Sequence, residues 1–372
     1  MRLFWAGLCA WGALYVAGRE LDWLVLPWPL PLVNRDFSNL WMAARLVLSG
    51  DVASIFNPDV FRQLTHQQLG TTFANNYSYP PHALFLALPF GLLPYWLGLL
   101  AWNGFSLAAF AWAARPLIPP SLPRWVAILS PAALMCLVFG HYGLLCGALW
   151  LLSFRGNGLA AAALTIKPHL GLLVAVQMLR DRRALVAAVV GTAALVGLSL
   201  AAFGTEPWRA FLHTTFGYQV GLLDGQRPGL KTSMVTPFIS YGLVGQVAFG
   251  LAAAVLLLRR FDVFTAATAT FLILPYGFHY DLTVVCLGFA VLLASRWDEL
   301  AVFERAIGVA AFMAPALVTH GSWLVPPILL AGLFVQTRTG TRRACRPAEQ
   351  PHSEGPGACA GVGPGTGMTG QA

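Results

Sequence analysis

Asp36, His141, Lys167, His279 and Asp281 are ionisable side chains placed beside or inside long apolar runs. Carboxylate, imidazole and ammonium groups in such surroundings are those of acid–base and charge-stabilising chemistry. An ionisable group at membrane depth is costly to keep, which makes it a candidate for function. Asp36 lies in the longest polar interruption of the N-terminal half, Asn34 to Pro81, which ends in NNYSYPP and so brings Asn76, Tyr77 and Tyr79 with it. His141 stands in FGHYG, Lys167 in LTIKPHLGLL, and His279, Tyr280 and Asp281 in PYGFHYD.

Each residue also has a plainer reading. Asp36 precedes an amphipathic run and would make a good helix N-cap, and Asp281 could cap the helix after it. Lys167 could be one half of a buried ion pair. His279 could belong to an interfacial aromatic belt, and His141 could be a polar turn residue. Pro80-Pro81 suits the first turn of a helix, and Tyr77-Ser78-Tyr79 could be belt or substrate wall.

The elements that carry these residues follow from composition. Of 372 residues 57% are hydrophobic and 10% charged, and mean hydropathy is +0.66. Soluble domains carry about 25% charged residues, so the chain reads as an integral membrane protein. Only helices and closed barrels satisfy every backbone group in lipid, and the apolar runs lack the alternation of a barrel. The expected class is therefore all-α and polytopic. Trp23, Trp28, Trp96, Trp125 and Trp208 sit at segment ends, where amphipathic rings meet the interface.

The formal charge is +8. Arg180, Arg182, Arg183, Arg259, Arg260, Arg338, Arg342 and Arg343 all flank hydrophobic runs, which is the pattern that orients helices and argues against nucleic acid. Cys9, Cys136, Cys146 and Cys286 lie inside apolar runs, and Cys345 and Cys359 in the tail, without metal-like spacing.

Arg2 and the run Leu3 to Gly18 read as an uncleaved first helix with a cytoplasmic N-terminus. Asn34 to Pro81 then faces outward. Phe37, Leu40, Trp41, Ala44 and Leu48 share one helical face, Asn39, Arg45 and Ser49 are offset from it, and Gly50 is a fitting stop. The spacing predicts a short amphipathic helix lying on the membrane surface. Further apolar segments fall at about 82–95, 96–114, 125–139, 142–154, 158–179, 184–203, 243–258, 263–277, 282–294, 305–319 and 323–335, about twelve spans with the first. A second large outward interruption covers 204–241.

Alternation puts Arg180–Arg183, Arg259–Arg260, Arg296 and Arg338–Arg343 inside, and Arg115, Arg124 and Arg155 outside. Re-entrant segments between 125 and 154 would change the facing of His141. Lys167 falls half-way down its helix, with its ammonium reaching outward. The polytopic domain occupies 1–340. The rest, 341–372, is basic and then Gly/Pro-rich, the composition of a disordered cytoplasmic tail. Walker-type, H-E-x-x-H, C-x-x-C and G-x-S-x-G motifs are absent, which leaves no site for nucleotide chemistry on the cytoplasmic side.

A first-loop Asp followed by an amphipathic helix, then N-Y-x-Y-P-P before the second span, resembles glycosyltransferase family 87 of the GT-C superfamily. Gly140-His141 stands where that family tends to carry Gly-Gln. Lys167-Pro168 corresponds to its Lys-Pro and His279-Tyr280 to its late histidine motif, so the likeness runs from about Arg35 to Tyr280.

The resemblance implies inverting transfer of a hexose, mannose by family habit, from a polyprenyl-phosphate sugar to a hydroxyl on a glycolipid or glycan acceptor. Transfer would occur on the outward face of the cytoplasmic membrane. Asp36 would be the general base, and Lys167 and His279 would steady the departing phosphate. Asn76, Tyr77, Tyr79, His141, Tyr280 and Asp281 would contact sugar or acceptor. No cofactor is implied. The outer acids Asp36, Asp51, Asp59, Asp224 and Asp281 form no clustered pair of the kind a hard cation prefers, and metal dependence stays open.

The competing expectations are a transporter or lipid flippase, which the lack of internal repeats disfavours, and a non-catalytic scaffold of envelope assembly.

Overall fold

A computed structural model describes residues 4–14, 30–72, 76–215, 217, 221, 233–318 and 320–341. Trp23, Trp28, Asp224 and the tail from 342 onward lie outside the described residues, as does most of 216–232 within the second interruption.

Among the described residues the structure is helical, with one isolated antiparallel bridge between Met234 and Phe278. The main helices are α1 (Phe4–Leu14), α2 (Phe37–Leu48), α3 (Pro58–Leu69), α4 (Leu84–Gly91), α5 (Tyr95–Ala114), α6 (Pro131–Phe139), α7 (Gly143–Ser153) and α8 (Gly158–Ala163). They continue with α9 (Leu172–Met178), α10 (Arg182–Phe203), α11 (Pro237–Arg259), α12 (Val263–Ile273), α13 (Thr283–Arg296), α14 (Val302–Phe312) and α15 (Val325–Thr341).

Polar residues between the apolar runs explain many of the boundaries. Asn57, Ser130, Asn157 and Asp181 each accept a backbone N–H of the first turn of the helix they precede. Asp262 and Thr265 bond each other's backbone at the start of α12. These are the donors that a helix cannot satisfy by itself.

Among the described residues three helices are long and apolar enough to cross a bilayer: Tyr95–Leu117, Arg182–Phe203 and Pro237–Arg259. On α10 Val186, Val189, Val190 and Leu198 are exposed, and on α11 Leu243, Val244, Val247, Leu251, Val255 and Leu258. Apolar surface on this scale is a cost in water but not in lipid. The fold is that of a helical membrane protein.

Two expectations about the elements need correction. The surface helix has the expected limits, closing at Ser49 with Gly50 at φ +82°, yet it does not lie on a surface. Phe37 to Ala44 and Leu46 are buried, and of the expected apolar face only Leu48 is exposed. Gly91 of α4 allows this burial, because a Cβ there would overlap Ala44. The polar interruption is also not a simple loop. It holds α3 and a turn of helix at Val52–Ile55. Asn34 Oδ1 accepts from Thr71 Oγ1 at 2.6 Å and from the Thr72 N–H at 2.9 Å, which ties its start to the stretch just after α3.

The second correction concerns 158–179, which is not one helix. After α8 come a 3-10 turn, Leu164–Ile166, then Lys167 with a non-helical backbone (φ −128°, ψ 76°), then a second 3-10 turn, Pro168–Gly171, before α9. Pro168 is the physical cause, since it has no N–H and disfavours helical geometry in the residue before it.

Candidate active site

Asp36 occupies the N-cap position of α2, but its side chain makes no capping bond. Its backbone stays helical, with φ −61° and ψ −26°, and its carbonyl accepts the Asn39 N–H at 3.0 Å. The carboxylate instead reaches His141, with Oδ2 against Nδ1. The capping alternative is thereby overturned.

His141 is brought there by the left-handed Gly140 (φ +70°) that closes α6. A Cβ on Gly140 would come within 2.6 Å of the Phe37 Cβ, so a residue with no side chain lets the two elements touch. The Gly140 carbonyl accepts from Trp102 Nε1 at 2.9 Å, and the His141 N–H bonds the Cys136 carbonyl at 3.0 Å.

Asp36 lies outside the spanning segments, and its acidity reflects its neighbours. Burial by itself would raise its pKa. Attraction to His141, the hydrogen bond between them, and the charges of Lys167 and His279 outweigh burial and hold the carboxyl below its ordinary 3.8.

Lys167 is not set half-way down a continuous helix. Its ammonium emerges from the break between the two 3-10 turns and donates to Asp281 Oδ1 at 2.7 Å. Both side chains are buried, 7% and 0% exposed, so the ion-pair reading of Lys167 holds. Asp281 does not cap the following helix, whose N-cap residue is Leu282. Lys167 Nζ also stands 4.9 Å from the ring centre of Tyr280.

Tyr280 links the cluster. The His141 ring stacks on it at 3.6 Å with 15° between planes, and Phe278 stacks at 5.1 Å with 16°. Its backbone is held too, since Cys136 Sγ donates to the Tyr280 carbonyl at 3.2 Å. His279, expected at an aromatic belt or in the site, is buried. Its N–H and its Nδ1 both bond the Ser233 carbonyl, at 3.0 and 2.9 Å.

The residues of the first interruption divide. The Asn76 N–H bonds Asn39 Oδ1 at 3.0 Å and its side-chain amide bonds Ser78 Oγ at 2.8 Å. Tyr77 is a buried post, edge-on to Phe56 and Tyr79. Tyr79 is half-buried and packs on Tyr142 at 4.1 Å.

Tyr142 and His82 were not singled out by the sequence reading. Tyr142 packs on Trp102 as well as on Tyr79. His82 Nε2 is 3.1 Å from Thr165 Oγ1, two residues before Lys167, and its ring stacks on Trp208. The available signals were the adjacency of Tyr142 to His141 and of His82 to Pro80-Pro81. Among the described residues no three of His, Cys, Asp and Glu converge as metal ligands would.

Two carboxylates, each held by a cationic or imidazole partner, thus flank an aromatic plate inside a helical membrane protein. Comparison with known families places the chain. The model of glycosyltransferase family 87 matches residues 77–279, more than half of the chain, and the protein belongs to that family. It is a glycosyltransferase, acting between a sugar donor and an acceptor. The matched stretch holds His141, Lys167 and His279, while Asp36 lies before it and Tyr280 and Asp281 just after it. Neither the comparison with curated proteins nor that with solved structures returned a match.

Proposed function

We propose that the protein moves a hexose, mannose first among them, from a polyprenyl-phosphate donor to a hydroxyl acceptor on the outward face of the membrane, with inversion. The observation that carries this reading is the state of Asp36. Its carboxylate makes no capping bond to its own helix, meets His141, and is held ionised.

In the reaction the acceptor oxygen bonds the anomeric carbon as that carbon's bond to the phosphate oxygen breaks. The acceptor proton passes to Asp36, and the polyprenyl phosphate departs as an anion. Such a leaving group is already acidic, and it needs charge stabilisation more than a proton. The Lys167 ammonium has three N–H donors and gives one to Asp281. Asp281 keeps it charged and aimed, and the remaining donors are available to a phosphate. His279 is the second candidate there. Tyr79, Tyr280 and Asn76 are candidates for sugar contact, and the buried Tyr77 supports Tyr79. Neither reading in which the chain moves no sugar between molecules, carrier or scaffold, accounts for membership of a glycosyltransferase family.

The test uses purified protein in liposomes, radiolabelled polyprenyl-phosphate mannose and a lipid extract as acceptor source. Wild type should move label to a new species. Asp36→Asn should bind donor and transfer at least about a hundredfold more slowly, the scale of a general base. Wild-type transfer by Asp36→Asn would remove Asp36 from the chemistry. Silence of the wild type with this and other phosphosugar donors would end the donor assignment.

A further inference from the structure

A groove of about 720 Å³ lies between α11, α14 and α15. Its walls are apolar: Ala252 and Val255 from α11, Phe303 and Ile307 from α14, and Ala331 and Phe334 from α15. Val255, Phe303 and Phe334 are exposed. The volume falls within the range of small-ligand pockets, about 300–1,000 Å³. A spanning helix, 10–12 Å across and about 30 Å long, is several times larger.

The groove ends in charge. Residues three, four and seven apart share a helix face, so Arg259 continues the face of Ala252 and Val255, and Arg338 that of Ala331 and Phe334. A helical side chain covers the turn before its own Cα, which brings both arginine stems back toward the groove. The neighbouring charges are largely matched. Arg338 meets the buried Glu304 of α14, and Arg260 meets Asp262 and donates to the Gln336 carbonyl at 3.2 Å. Arg305 is turned to Trp297, whose carbonyl it bonds at 2.9 Å. Arg259 is exposed and has no carboxylate partner among the described residues.

We propose that this groove is a binding site for an anionic phospholipid, with acyl chain against the three helices and phosphate at Arg259. A guanidinium binds phosphate through paired N–H donors, and its stem packs along apolar surface while the charge stays at the interface. This is the end that the arginine pattern assigns to the cytoplasm, and basic pockets between helices on that side suit anionic headgroups. From Gly242 to Arg259 α11 rises about 25 Å, and the segment bonded to His279 precedes Gly242. The lipid site is therefore separate from the proposed donor site, and it stands whatever sugar donor the enzyme uses.

The test counts lipid retained by the purified full chain in native mass spectrometry, with no sugar donor present. The probes are dioleoyl phosphatidylglycerol, dioleoyl phosphatidylcholine, polyprenyl phosphate and inorganic phosphate. The variants are Arg259→Gln, Ala331→Phe, which fills the groove, and Arg182→Gln, an exposed arginine on another helix. Elution in detergent checks folding.

Wild type should retain one phosphatidylglycerol in preference to phosphatidylcholine. Arg259→Gln should weaken that preference by about fivefold, the scale of one arginine at an anionic headgroup. Ala331→Phe should lose both lipids, and Arg182→Gln should match wild type. Inorganic phosphate should leave the bound lipid in place. The inference is overturned if phosphatidylcholine is retained equally, or if Arg259→Gln keeps the wild-type preference. It is also overturned if folded Ala331→Phe retains the lipid, or if Arg182→Gln loses it as Arg259→Gln does. Displacement by inorganic phosphate would reduce the site to an ion site, and displacement by polyprenyl phosphate in preference would give the groove to the donor. None of these outcomes bears on Asp36, whose test is transfer.

Discussion

Lys167 Nζ and Asp281 Oδ1 meet at 2.7 Å across 114 positions of sequence, in a pocket where the carboxylate side chain has no exposure at all. A pair so placed is expensive to assemble, and it is more expensive to leave half-made. Removal of one partner strands a buried charge, at about 3–5 kcal/mol. Lys167→Met should therefore lower the thermal midpoint in detergent sharply. Adding Asp281→Leu should recover most of that loss without restoring transfer. A double variant that regained both would show the pair to be structural only.

Asp36 should leave a signature in acid. Its carboxyl is held below 3.8 in the fold, so its favourable interactions contribute fully above the unfolded value and are lost as pH falls through the lowered folded value. The midpoint of wild type should drop more steeply than that of Asp36→Asn as pH falls below about 4, and the two curves should run parallel at neutral pH. Parallel curves throughout would mean that Asp36 gains nothing from its partners.

Tyr280 offers a separation of ring from hydroxyl. Tyr280→Phe keeps the surface on which His141 stacks and over which Lys167 lies, while Tyr280→Leu removes both. Aromatic pairing of this kind contributes about 0.5–1.5 kcal/mol beyond burial. Tyr280→Leu should cost stability on that scale and slow transfer by about tenfold or more, and Tyr280→Phe should keep the stability. Equal thermal midpoints for the two would argue against the plate.

Gly143 tests the fit between α7 and the PYGFHYD segment. A Cβ there would fall on the Tyr280 carbonyl oxygen, and the Gly143 carbonyl already accepts from Thr283 Oγ1 at 3.1 Å. Gly143→Ala should destabilise by about 1–3 kcal/mol, the usual cost of overpacking. It should also reduce transfer by displacing Tyr280. Gly104, with open space around it, is the matched control in which Ala should be tolerated.

Several of these relationships were legible in the sequence and others were not, for identifiable reasons. The limits of α2 were readable because apolar spacing and Gly50 bracket it. Its burial was not, because in a membrane an apolar stripe facing lipid reads the same as one facing protein. Pro168 announced a break beside Lys167, but proline is also tolerated within spanning helices, so an unbroken run was the natural expectation. Asp36 and Asp281 each precede a helix and read equally well as caps. What diverts them is a partner more than a hundred residues away, His141 in one case and Lys167 in the other. No local pattern encodes such a pairing. The order of motifs was enough to indicate the glycosyltransferase family, and the family match confirms it.

The Ser233 carbonyl receives two bonds from His279, while the Val235 N–H bonds the Gly277 carbonyl at 3.0 Å and Thr236 Oγ1 the Pro275 carbonyl at 2.8 Å. Residues 233–236 are thereby buckled to 275–279 along their whole length. The buckle fixes the backbone on both sides of His279, so its position is set by two segments far apart in the chain.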